Sequence, residues 1–147
     1  MSKNKILILD DDRSIVHLIQ RLMIDEGYDV VCAYDGEKGL KLAASEKPHL
    51  IILDINMPKM SGMAFYRALI QSTRDQIRIP VLVMTGRNEL EEFFKDIKVD
   101  GFIAKPFRIQ DLAAKVLEIL NITHAQQDNP PQQVQDISPP EESESPL

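Results

Sequence analysis

Leu50-Ile51-Ile52-Leu53-Asp54-Ile55-Asn56-Met57-Pro58-Lys59-Met60-Ser61-Gly62 joins an unbroken apolar run to an acid and then to a turn bearing Pro and Gly. A short apolar run bounded in this way reads as a strand buried on both faces, as in a parallel sheet. Asp54 then lies at the strand's C-terminal end, where open α/β sheets bind their ligands. Three other runs have the same form. Ile6-Leu7-Ile8-Leu9 enters Asp10-Asp11-Asp12, Val81-Leu82-Val83-Met84 enters Thr85-Gly86, and Gly101-Phe102-Ile103-Ala104 enters Lys105-Pro106. One edge of one sheet therefore gathers carboxylates, a hydroxyl and an ammonium.

Strand-like and helix-like segments alternate from residue 5 to about 122. The expected strands are Lys5–Leu9, Asp29–Ala33, Leu50–Leu53, Ile79–Val83 and Gly101–Ala104. Helical spacing of apolar residues appears at Ile15, Leu18, Ile19 and Leu22. It recurs at Leu90, Phe93, Phe94 and Ile97, and again at Ile109, Leu112, Ala113, Val116, Leu117 and Leu120. Glu37–Glu46 and Ser61–Thr73 complete the set. Five βα units predict an α/β fold, a flavodoxin-like doubly wound parallel sheet with strand order 2-1-3-4-5.

The chain of 147 residues is 44% hydrophobic, enough for one core, and divides into a domain over 1–122 and a tail over 123–147. Its net charge of −6 is uneven: residues 1–122 carry −1, while the tail holds five acids and no Lys or Arg. The tail also holds five of the nine prolines and five Gln, so it is expected to be a disordered, acidic Pro/Gln/Glu-rich segment. Neither part has a basic stripe suited to a phosphate backbone, so no direct nucleic-acid contact is expected. No apolar run approaches the roughly 18 residues of a membrane span, so no membrane insertion is expected. The N-terminus has no signal-peptide pattern. The single cysteine, Cys32, excludes an internal disulfide framework and fits a reducing, cytoplasmic setting. It is expected to be a small apolar residue in a strand.

Asp10, Asp11 and Asp54 would repel one another if gathered. Two carboxylates ~5 Å apart cost about 3 kcal/mol at an effective dielectric near 20. A hard divalent cation with oxygen ligands is the natural counter-charge, and Mg²⁺ suits a few carboxylates plus water. Lys105 adds a second positive charge and Thr85 a hydroxyl. Together these groups suit a phosphoryl group, with Asp54 as the nucleophile that becomes an acyl phosphate. Asp12 is expected to cap the first helix. His17, His49 and His124 show no ligand spacing with one another.

These residues resemble the response-regulator receiver domain of two-component signalling, of the single-domain chemotaxis or sporulation type. The resemblance rests on Asp10-Asp11-Asp12, on Asp54 through Gly62, on Thr85, and on Asp100-Gly101-Phe102-Ile103-Ala104-Lys105-Pro106-Phe107. It implies that Asp54 accepts phosphate from a phosphohistidine of a sensor histidine kinase or phosphotransfer protein. It also implies that Asp11 binds Mg²⁺ directly, that Asp10 assists, and that Asn56 lends its backbone carbonyl. Thr85 and Lys105 would contact the phosphoryl group, the aromatic Phe102 would change rotamer with Thr85, and a cis bond would precede Pro106. The chain departs from the family at Gly86, where Ala is usual, at Phe102, where Tyr is common, and at Lys98-Val99, where Gly-Ala is usual.

The expected function is a phosphorylation-controlled switch, a regulator rather than a turnover enzyme, acting on an unidentified output protein. The 25 residues after Ile122 are too few for an ordinary effector domain. Two alternatives are a receiver-like interaction module acting without phosphorylation and an aspartate-nucleophile phosphatase. The phosphatase would place an acid two residues after its nucleophile, where this chain has Asn56.

Overall fold

A computed structural model of the protein describes residues 3–55, 57, 60–72, 78–86 and 99–128. Five strands form one sheet: β1 (Lys5–Leu9), β2 (Asp29–Ala33), β3 (Leu50–Asp54), β4 (Val81–Thr85) and β5 (Gly101–Ala104). Their order is β2-β1-β3-β4-β5 and each neighbouring pair is parallel, the expected flavodoxin-like arrangement. The described helices are α1 (Arg13–Asp25), α2 (Gly36–Glu46), α3 (Gly62–Ser72) and α4 (Ile109–Asp128). The helical pattern over 90–97, with Phe93-Phe94, lies outside the described residues, as do Asn56 and Lys98.

Side chains of a strand alternate between faces, so each continuous apolar run supplies two cores. Ile6, Ile8, Leu50, Ile52, Leu82, Met84 and Ile103 face α1 and α4, where Val16, Ile19, Leu112 and Val116 meet them. Leu7, Leu9, Ile51, Leu53, Val81 and Val83 face the other way, toward Ala43 of α2 and Phe65, Tyr66 and Leu69 of α3. Each fully buried Leu, Ile or Val contributes about 1.5–3 kcal/mol relative to exposure, and the three central strands hold most of them. Cys32 is half-buried in β2 against the first core, where burial pushes its thiol pKa up.

Several boundaries differ from the expectation, β3, α2 and α3 by one residue at one or both ends and β4 and the last helix by more. β4 begins at Val81 rather than Ile79 because Pro80 has no N–H to place in the ladder, although its carbonyl still accepts from Ile51 N at 3.0 Å. The last helix continues to Asp128, past the expected domain boundary at 122. Residues 123–128 lack Pro and Gly, so the established helix propagates at one hydrogen bond per residue without needing an apolar face. The expected disordered tail thus loses its first six residues to a helix, and residues 129–147 lie outside those described.

The amino ends of β4 and β5 are locked together by Asp100. Its Oδ2 accepts from Val81 N at 2.8 Å, and its two oxygens take Nη1 and Nη2 of Arg78 at 3.1 Å each. Asp100 N in turn donates to Val81 O at 3.0 Å. Burial lowers the Arg78 pKa, but its hydrogen bond with Tyr66 of α3 and the Asp100 charge outweigh that and raise it overall. Asp100→Ala removes the acceptor for Val81 N–H together with the Arg78 partner, and should cost about 1–3 kcal/mol. Arg78→Ala should cost less, since half of that side chain faces solvent. Urea unfolding of both variants checks the order, and an equal loss would overturn it.

Candidate functional site

The alternation that builds the first core also builds the site. Asp10, Asp54 and Lys105 continue the face of Ile8, Ile52 and Ile103, one step beyond those core residues, at the carboxyl ends of β1, β3 and β5. β1 and β3 are neighbours in register, with Leu9 opposite Leu53, so Asp10 and Asp54 emerge side by side. Asp10 is fully buried and Asp54 is 4% exposed. Asp11, next in the turn, is exposed. One carboxylate oxygen from each of the three lies within 4.8 Å of the others.

Lys105 reaches in from the far edge of the sheet. Its Nζ donates to Asp10 Oδ2 at 3.2 Å and lies 3.5 Å from Asp54 Oδ1. Its backbone is fixed by a hydrogen bond from Lys105 N to Thr85 O at 2.6 Å, and the bond to Pro106 is cis, as the resemblance implied. Thr85 ends β4 and is 5% exposed. Gly86 has open space where a Cβ would stand, so the usual Ala would fit and glycine is not sterically required here. Phe102 points outward from edge strand β5 and is 45% exposed.

Local chemistry shapes the turn after β1. Asp10 Oδ1 accepts from Asp12 N at 3.0 Å. Asp12 caps α1 as expected, its Oδ1 accepting from Ser14 N at 3.0 Å and Ile15 N at 3.4 Å. Asp11 therefore projects from a turn whose flanking acids are already engaged. The expected backbone contribution of Asn56 falls outside the described residues.

Gly62 is a positioning residue that the sequence analysis did not single out. A Cβ there would stand 2.6 Å from Ile55 Cα and 2.9 Å from Asp54 O, both backbone atoms, and Gly62 N donates to Ile55 O at 2.9 Å. The chain after Asp54 folds back against the start of α3, and only glycine permits the approach. The available signal was a glycine within the helical pattern Ser61–Thr73, where it is a poor helix former.

Three carboxylates with the Lys105 ammonium make, among the described residues, an oxygen-rich site that fits a hard divalent cation. Comparison with known proteins follows the same line. Residues 6–117 match the family model of the response regulator receiver domain. The chain belongs to that family.

Receiver domains are regulators of two-component systems, receive phosphoryl groups from histidine kinases and bind Mg²⁺ at an acidic pocket. The chain is 40% identical over 120 residues to the alkaline phosphatase synthesis transcriptional regulatory protein PhoP of Bacillus subtilis, covering 79% of this chain and 48% of that protein. It is 34% identical over 126 residues to the response regulator MprA of Mycobacterium ulcerans, covering 84% and 53%. The chain thus spans about half the length of these curated relatives. Among solved structures, the Vibrio cholerae chemotaxis protein CheY4 aligns with a TM-score of 0.74 at 29% identity, over 80% of this chain and 99% of that one. The Thermotoga maritima response regulator TrrA, solved in complex with Mg²⁺-BeF, aligns with a TM-score of 0.70 at 28% identity, over 79% and 98%. Among the described residues of this receiver domain, no helix is long and apolar enough to cross a membrane.

Charge arithmetic predicts the effect of Asp54→Asn on the metal-free protein. At an effective dielectric near 20, the Lys105 attraction at 3.5 Å is worth about 5 kcal/mol, while repulsions from Asp10 and Asp11 within 4.8 Å cost at least about 3.5 kcal/mol each. Among these charges the repulsions win, so the variant should unfold at higher urea than the parent in the presence of chelator. A lower midpoint would show that the ion pair dominates.

Proposed function

We propose that Asp54 is the phosphoacceptor of a signalling switch. The observation that carries this reading is a nearly buried carboxylate set between two acids within 4.8 Å and an ammonium at 3.5 Å. Asp10, Asp11 and Asp54 would hold Mg²⁺, joined by the backbone carbonyl of Asn56. When bound, the metal offsets the negative charge of the carboxylates and of the phosphoryl oxygens.

An oxygen of Asp54 attacks phosphorus of a kinase or phosphotransfer-protein phosphohistidine. The P–N bond breaks, its electron pair stays on the imidazole nitrogen, and an acyl phosphate forms on Asp54. Lys105 then moves its ammonium from a carboxylate to a phosphoryl oxygen, and the Thr85 hydroxyl turns toward the new anion. The Gly86 backbone N–H would be a further donor to the same group.

Output is read at a protein partner through Phe102 and the surface around β5 and α4. As Thr85 moves, Phe102 rotates inward and buries apolar area worth about 1 kcal/mol, part of the 1.5–3 kcal/mol of a full side chain. That is enough to shift a two-state population several-fold. The near-neutral charge of residues 1–122 and the lack of a basic stripe in the sequence support a protein partner rather than nucleic acid.

Acetyl phosphate with Mg²⁺ should add one phosphoryl group to the parent protein by intact mass and none to Asp54→Asn. Asp11→Ala should lose most of the thermal stabilisation that millimolar Mg²⁺ gives the parent. In NMR spectra, beryllofluoride should shift Thr85 and Phe102 together. Labelling of Asp54→Asn would name the wrong acceptor, and a Phe102 that keeps one rotamer would remove it from the output path.

A further inference from the structure

Asp11 makes no side-chain hydrogen bond or ion pair among the described residues, although both of its neighbours do. Its placement therefore depends on the backbone of the turn between β1 and α1. That turn is tied to the end of β2 at two points. On one side Asp10 N donates to Ala33 O at 3.3 Å. On the other, the Arg13 guanidinium lies over the ring of Tyr34, its Cζ 4.1 Å from the centroid. Ala33 and Tyr34 are consecutive, and Asp11 lies between the two tied residues.

We infer that the Arg13–Tyr34 stack is a positioning clamp that holds Asp11 in reach of the cation at the acidic site, so that an arginine strengthens Mg²⁺ binding there. The inference rests on the metal reading of Asp10, Asp11 and Asp54. Arg13 and Tyr34 touch neither the metal nor the phosphoryl group in this account; they act through the turn.

The sign of the effect separates this role from simple electrostatics. A cation two residues from a metal-binding carboxylate should repel Mg²⁺, so removing its charge alone should tighten binding. Loss of the clamp should instead weaken it. A stack of this kind at an exposed position corresponds to about a two- to fivefold change in an equilibrium constant. Arg13 is exposed, whereas Tyr34 is half-buried and packs against the first core, so its replacement is an apolar leucine.

Mg²⁺ dissociation constants of the full chain, measured by titration calorimetry without any phosphoryl donor, test the idea. Arg13→Gln and Tyr34→Leu should each weaken binding about two- to fivefold. The double variant should be no weaker than either single one, since both remove the same contact. Tyr34→Phe, which keeps the ring face, should bind as the parent does. Arg13→Gln that binds Mg²⁺ as tightly as the parent, or more tightly, overturns the clamp while leaving the metal site standing. A parent protein that binds no Mg²⁺ overturns the metal reading, and the clamp with it.

Discussion

The Lys105 ammonium between Asp10 and Asp54 is the constraint on which the rest of the site depends. A parallel sheet sends its strand ends out on one edge, and here β1 and β3 each deliver a buried carboxylate to that edge. Two such groups side by side are tolerated only with a positive charge near both. The lysine that supplies it comes from the far end of the sheet, beyond β4, at 3.2 and 3.5 Å. The charge balance therefore spans β1, β3 and β5 and reports on their relative positions. Among the described residues, the Lys105 ammonium still leaves three carboxylates short of neutral. The site is thus poised for a divalent cation, and a phosphoryl group arriving on Asp54 would compete for the same lysine.

Much of this was legible in the sequence because parallel strands buried on both faces are continuous apolar runs. The acids and the lysine were legible because they sit just past the ends of those runs. Strand parity then fixes which of them share a face, as Ile8, Ile52 and Ile103 lead to Asp10, Asp54 and Lys105. The start of β4 was misread because apolarity alone does not show that Pro80 lacks a ladder donor. The end of α4 was misread because residues 123–128 carry no apolar stripe, and a helix with a formed nucleus needs none. The close approach at Gly62 and the Arg13–Tyr34 stack were not legible from composition and period. Each depends on a contact between segments separated along the chain, which composition and period do not encode.

The two ends of the sheet are built differently. At the amino end, Asp100 binds the backbone of β4 in both directions and holds Arg78 in a two-pronged pair, which in turn reaches Tyr66 on α3. At the carboxyl end, β4 and β5 continue to Thr85 and Lys105, where Lys105 N donates to Thr85 O at 2.6 Å. A change of charge at Asp54 thus acts on the end of the sheet where the side chains of Asp10, Asp54 and Lys105 meet.

Phe102 extends that argument to the surface. Its neighbour Ile103 is buried in the first core, while Phe102 faces outward on the edge strand and Gly101 packs within 3.1 Å of Ile119 of α4, measured to the site of a Cβ it does not carry. The strand is therefore held by its inner residues and by glycine's fit against α4, and its outer aromatic is free of the core's packing demands. A phenylalanine, unlike a tyrosine, has no hydroxyl to anchor it to a polar partner. Its rotamer is then set by packing rather than by a hydrogen bond, and Thr85, two residues along β4 from Val83, the register partner of Phe102, is joined to Lys105 through its backbone. In the proposed switch that link would tie the position of an ammonium within a buried acidic site to the exposure of an aromatic ring on the edge of the sheet.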